Sequence, residues 1–232
     1  EGGFGARRVL IRVNGADTEW GQADLVAAIA AKPHGILLPK VNGPADLDAA
    51  SAGLTDQNIK LWAMMETPLS VLNAAAIAAH PRLGGMVMGT NDLVKDLGVT
   101  LRADRAQISA SLQMCLLAAR AYGVVCVDGV YNAFKDEAGL RAECEQGRDM
   151  GFDGKTLIHP AQLAIANEVF APDPAALALA ARQIAAYDEA IAAGSAVAVV
   201  DGKIVENLHV ATAKALIARA EMIAKRAEDA QN

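Results

Sequence analysis

The chain has 232 residues, with 21 Lys or Arg against 27 Asp or Glu for a net charge of −6, and 53% of it is hydrophobic. That balance excludes a disordered chain and fits one large domain or two small ones. The acidic excess disfavours nucleic acid and anionic membrane as partners, though a local basic pocket can still hold an anionic small molecule.

In chain order, short apolar runs rich in β-branched residues predict strands at 9–13, 35–41, 60–65, 85–88, 124–127 and 155–158. Most read as continuously apolar, the pattern of parallel strands buried on both faces. Ala-rich segments of helical period separate them, at 20–31, 45–52, 70–79, 104–121 and 136–150. Strands alternating with helices mean βα units, in an open doubly wound sheet or a closed (β/α)₈ barrel. No Gly-rich nucleotide loop follows any strand, and polar residues recur just after the strands, so an α/β TIM barrel is preferred. Six runs are visible where a barrel needs eight. With no initiator Met, the first two βα units are expected upstream of Glu1.

Pro172 and Pro174 then break the chain. A long helix over 175–193, an extended piece at 196–200, an Asp201-Gly202 turn and a last helix over 208–227 follow, with 229–232 expected to fray. Residues 1–171 are thus expected to form the barrel's catalytic domain, and 172–232 a C-terminal helical extension or lid.

Cys115, Cys126 and Cys144 lack metal-ligand spacing and are too few for a disulfide scaffold, which suits free thiols in a cytoplasmic protein. No apolar run approaching the roughly 20 residues of a membrane span is evident. The leader Glu1-Gly2-Gly3-Phe4-Gly5 carries no secretory signal.

Two carboxylates stand out. Glu66 in Met64-Met65-Glu66-Thr67-Pro68 directly follows an apolar strand, and Asp92 in Gly89-Thr90-Asn91-Asp92-Leu93 again follows one. Capping of the next helix explains either one alone. Together, at the ends of successive parallel strands, they converge on one volume and offer hard oxygen ligands to Mg²⁺. Arg12 ends the first strand, and a guanidinium inside an apolar run calls for an anion: Glu66, Asp92 or a substrate carboxylate. Lys40 occupies a similar strand end. Lys155 and His159, in Gly154-Lys155-Thr156-Leu157-Ile158-His159-Pro160, are candidates to contact phosphates or carbonyls of a substrate, against a plain packing role.

These motifs, with Leu38-Pro39-Lys40-Val41 and Asp128-Gly129-Val130 in their order, resemble the citrate lyase beta-subunit-like family of CoA-ester lyases within the HpcH/HpaI aldolase superfamily. The resemblance implies a (β/α)₈ barrel assembled as a homotrimer or hexamer, with Mg²⁺ held by Glu66 and Asp92. Arg12 would lie at the substrate carbonyl and carboxylate. It implies reversible Claisen-type cleavage of a 3-hydroxyacyl-CoA into an acyl-CoA and a 2-oxo acid such as glyoxylate or pyruvate. Many members carry an acidic lid residue that moves a proton in a neighbouring subunit's site. Glu206, in Gly202-Lys203-Ile204-Val205-Glu206, matches it with one extra methylene, and helix-end charge is its plain alternative. Two other activities fit the scaffold: malyl-CoA thioester hydrolysis, and action as a citrate lyase beta subunit on an acyl-carrier protein.

Overall fold

The computed structural model describes residues 4, 5 and 7–229; the expectations for 1–3 and for fraying at 230–232 lie outside the described residues. Arg7–Phe170 forms one compact unit, and the chain from Ala171 onward, together with Phe4 and Gly5, belongs to a second.

The first unit is built on six parallel strands: β1 (Leu10–Arg12), β2 (Gly35–Leu38), β3 (Lys60–Met65), β4 (Leu83–Met88), β5 (Val125–Asp128) and β6 (Gly154–Lys155). They pair strictly in chain order, from Leu10↔Gly35 at one edge to Asp128↔Lys155 at the other. A doubly wound sheet would reverse direction at a switch point. This one does not, and the six strands curl as the wall of a TIM barrel. Among the described residues β1 and β6 are not paired with each other.

Helices return the chain between strands: α1 (Gly21–Ala30), α2 (Pro44–Ser51), α3 (Pro68–Leu72), α4 (Ala74–Ala78), α5 (Thr90–Leu97), α6 (Ser109–Tyr122) and α7 (Glu137–Met150), and α8 (Leu163–Phe170) follows the last strand. Leu61, Ala63 and Met65 of β3 are fully buried in the same core as Leu47, Ile77 and Leu112 of the helices. Each of the larger of these, Leu, Ile or Met, contributes about 1.5–3 kcal/mol. The opposite face, with Lys60, Trp62 and Met64, is exposed or half-buried. Burial of β3 therefore alternates, and the expectation of strands covered on both faces does not hold for it.

Two helical boundaries differ from the sequence pattern for identifiable reasons. The expected helix at 70–79 is two helices parted at Asn73, whose side-chain amide donates to the carbonyl of Asn42 at 2.7 Å. α6 begins at Ser109 rather than 104, because Arg105 is drawn into buried contacts from a left-handed backbone conformation (φ 51°). The short helices α5 and α8 were not foreseen.

In the second unit α9 (Pro174–Ala192) starts at Asp173, whose carboxylate accepts the backbone N–H groups of Ala175 and Ala176. A hairpin of β7 (Ala198–Val200) and β8 (Lys203–Val205) turns at Asp201-Gly202, both with positive φ, as a tight two-residue hairpin turn requires. α10 (Asn207–Asp229) follows, and Ala198, Val205 and Val210 form the unit's core. The stretch Pro160–Ala192 reaches the length and hydropathy of a membrane span, contrary to the sequence reading. It is not one helix: residues 171–173 interrupt it.

All three cysteines are buried. Burial pushes the Cys115 thiol up to about 12 and raises those of Cys126 and Cys144 as well. Native protein at pH 8 should therefore react with no equivalents of a disulfide reagent, and denatured protein with three. Rapid native labelling would contradict this packing.

Candidate functional site at the strand ends

Because the strands are parallel and pair in sequence, their C-terminal ends share one edge, and Arg12, Lys40, Glu66, Asp128 and Lys155 all lie there. Glu66 directly follows β3 and is 5% exposed. Its backbone turns sharply because Thr67 caps α3, accepting the Ser70 N–H at 3.0 Å, and Pro68 supplies the first helical residue. The Thr67 hydroxyl in turn donates to Asn42 Oδ1 at 2.5 Å.

One Glu66 oxygen is held by the backbone of the neighbouring strand end: Lys40 N–H donates to Oε1 at 2.8 Å. Lys40 adopts φ 49°, a left-handed conformation uncommon outside glycine, and strain of this kind concentrates at functional sites. On the other side, Gly89 N–H donates to the Met65 carbonyl at 3.0 Å, binding the ends of β3 and β4 together. A Cβ at Gly89 would lie 2.3 Å from Glu66 Cβ and 2.7 Å from Oε2, so only glycine fits there. Asp92, half-buried in the first turn of α5, is close enough for its charge to act on Glu66.

Burial raises the Glu66 carboxyl above its ordinary value. The Lys40 N–H opposes this, the Asp92 charge adds to it, and the charges of Lys40 and Arg12 oppose it again. Two carboxylates that repel each other, one of them buried, make a pair that a divalent cation neutralises. Among the described residues no three His, Cys, Asp or Glu side chains cluster as a metal site. The donor set therefore fits Mg²⁺, which keeps several waters and takes only one or two carboxylates, rather than a cage-bound ion.

The other candidates are placed differently. Arg12 is exposed rather than buried, and among the described residues forms no ion pair. Lys155 has a fully buried side chain, with Nζ 3.1 Å from Asp128 Oδ2 and 2.6 Å from Glu143 Oε1. His159 is exposed; its ring stacks on Phe134 at 4.5 Å and its Nδ1 accepts the Ala161 N–H. Glu206, in the second unit, is exposed just before α10, and its carbonyl accepts the His209 and Val210 N–H groups.

Sequence reading missed the partners of Asp128. Arg105, 1% exposed, places Nη1 2.8 Å from both Asp128 oxygens and Nε 2.6 Å from Gln146 Oε1. Arg105, Lys155, Asp128 and Glu143 thus form a buried cluster of two cations and two anions. The one available signal was a bare aspartate ending an apolar strand. A cavity of about 340 Å³ flanks Lys40, floored by Val13, Leu25, Leu38 and Val41; its lining includes neither Glu66 nor Asp92.

Residues 4–160 match the HpcH/HpaI aldolase/citrate lyase family model. A (3S)-malyl-CoA thioesterase of Cereibacter sphaeroides is 66% identical over 95% of this chain and 77% of its own length. Citrate lyase subunit beta of Escherichia coli (strain K12) is 31% identical over 94% of this chain and 76% of its own. Among solved structures, the CitE protein of Mycobacterium tuberculosis in complex with magnesium, acetoacetate and coenzyme A superposes with a TM-score of 0.77 at 28% identity. That match covers 91% of this chain and 78% of the other.

The expectation of a carbon–carbon lyase is overturned by the first of these relatives. At 66% identity the similar enzymes are thioesterases, so hydrolysis, ranked second from the sequence, moves ahead of C–C cleavage. The motifs that suggested a lyase do not encode which bond breaks.

The raised Glu66 carboxyl has a consequence for stability. The folded state holds this proton more tightly than the unfolded one, so between the two values stability falls as pH rises, and the deficit persists above them. Glu66→Gln keeps an acceptor for the Lys40 N–H and removes the charge. It should raise the metal-free thermal midpoint at pH 7 by roughly 2–4 °C if about 1 kcal/mol is recovered, and lose any stabilisation by Mg²⁺. A lowered midpoint would contradict the burial argument.

Proposed function

The chain belongs to the HpcH/HpaI aldolase/citrate lyase family, and we propose that it hydrolyses the thioester of a (3S)-malyl-CoA-type substrate, releasing the free acid and CoA. The 66% identity to thioesterases carries the choice of reaction. The paired carboxylates at adjoining strand ends support the choice of site.

In this reading Glu66 and Asp92 hold one Mg²⁺, as suits their chemistry and as the magnesium complex of the related CitE protein supports. The bound ion supplies Lewis-acid polarisation of a substrate oxygen. Lys40 contributes its backbone N–H, fixing one Glu66 oxygen so that the other remains for the ion. Arg12, exposed at the end of β1, offers a two-pronged donor to the substrate's carboxylate or to the carbonyl oxygen as charge develops there. Water adds to the thioester carbonyl carbon, the C–S bond breaks, and the departing sulfur takes a proton to leave as the free thiol.

Glu206 of a neighbouring subunit is the proposed acceptor of the water's proton, an assignment supported by its match to the acidic lid position and by its exposure. His159, exposed on its Phe134 platform, is proposed to contact the CoA moiety. Lys155 is less suited to that task, since its ammonium is fully buried and already paired with Asp128 and Glu143.

The test follows (3S)-malyl-CoA by two readouts, thiol release and glyoxylate release. Thiol with an equal amount of malate, dependent on Mg²⁺ and reduced about 100-fold or more in kcat/KM by Asp92→Asn, is expected for loss of a metal ligand worth several kcal/mol. Glyoxylate with acetyl-CoA, or thiol release indifferent to Mg²⁺, would overturn the proposal.

A further inference from the structure

Asp92 is half-buried and sits on the first turn of α5, a helix of only eight residues, so something must fix that turn. The residue before it makes the contact. Asn91 and Asn132 exchange side-chain hydrogen bonds, Asn132 Nδ2 donating to Asn91 Oδ1 at 2.7 Å and Asn91 Nδ2 donating to Asn132 Oδ1 at 3.2 Å. The reciprocal pair joins the turn after β4 to the loop after β5, across 41 residues of sequence.

That second loop is an unusually firm anchor. It begins at Asp128, which is fully buried and gripped by Arg105 and Lys155, and which also accepts the Gly129 N–H at 2.8 Å. Gln162 Nε2 donates to the Tyr131 carbonyl at 2.9 Å, and the Tyr131 hydroxyl donates to Asp136 at 2.6 Å. Gly129 presses on the residue preceding Asn91: a Cβ there would lie 2.4 Å from Thr90 Oγ1. A buried charge cluster of this kind is weak evidence of stabilisation, since apolar packing often serves as well, whereas it can fix a unique geometry.

We propose that Asn132 is a positioning residue for the metal site: it carries the rigidity of the Asp128 cluster, through Asn91, to the Asp92 carboxylate. The proposal rests on the reading that Asp92 binds the divalent ion. Asn132 is exposed and its side chain bonds Asn91, so its removal tests position, with the thermal midpoint as the check on folding.

The experiment measures Mn²⁺ binding to the whole chain by electron paramagnetic resonance, with thermal midpoints and Mg²⁺ titrations of thioester hydrolysis alongside. Asn132→Ala should weaken Mn²⁺ binding about tenfold, the lower end for partners that orient metal ligands. The Mg²⁺ concentration for half-activity should rise similarly, with kcat at saturating Mg²⁺ and the metal-free midpoint close to those of the unaltered chain. Asn91→Ala should do the same, and the double variant should be no worse than either single one, because both remove one shared contact. Unchanged Mn²⁺ affinity in Asn132→Ala, with Asp92→Asn abolishing binding, overturns the positioning role alone. Mn²⁺ binding that survives Asp92→Asn overturns the metal-site reading, and the positioning role with it.

Discussion

Parallel strands that pair in chain order must all end on the same edge, and the proposed metal site depends on that constraint. Residues separated by 26 positions, such as Lys40 and Glu66, become neighbours because each follows a strand and the strands are adjacent. The sheet also decides which groups are expensive. Glu66 sits at the border between the core of β3 and the open edge, where its charge is partly desolvated and faces that of Asp92. Its surroundings answer this incompletely, with one backbone N–H and two more distant cations. A divalent ion would complete the balance, and this is the physical reason to propose the pair as a binding site rather than as two helix-end charges.

The edge has two kinds of polar group with opposite needs. Around Asp128, four charges lie within the protein and neutralise one another. Around Glu66 and Asp92 the two cations, Arg12 and Lys40, are exposed, and among the described residues neither is in an ion pair with the carboxylates. A self-satisfied cluster suits support, and an unsatisfied one suits binding. The Asn91–Asn132 pair bridges the two.

Glu66 stood out in the sequence because a carboxylate at the end of an apolar strand violates the hydrophobic pattern around it, and Asp92 because it follows the next strand, where the structure places it in the first turn of α5. Each expected strand overlaps an observed one, and the Asp201-Gly202 turn follows from local conformational preference. Arg105 was not legible: Arg102-Ala103-Asp104-Arg105 reads as an exposed helix start, and only tertiary pairing with Asp128 buries it. Nor was the left-handed backbone of Lys40, since lysine has no intrinsic preference for it and the Glu66 bond that accompanies it is long-range. The ranking of lyase above thioesterase failed for a chemical reason. Both reactions start from the same kind of acyl-CoA, whereas the identity of the bond broken depends on the placement of water and of a proton acceptor, which strand-end motifs do not specify.

The most direct test of the account is the position of the ion. Crystals of the whole chain grown with Mn²⁺ should show one anomalous scattering peak at the strand edge, about 2.0–2.3 Å from carboxylate oxygens of both Glu66 and Asp92, the spacing of hard-cation sites. The Lys40 N–H should remain on the second Glu66 oxygen. A peak bound elsewhere, or none at the strand edge with Mn²⁺ at saturating concentration, would contradict it.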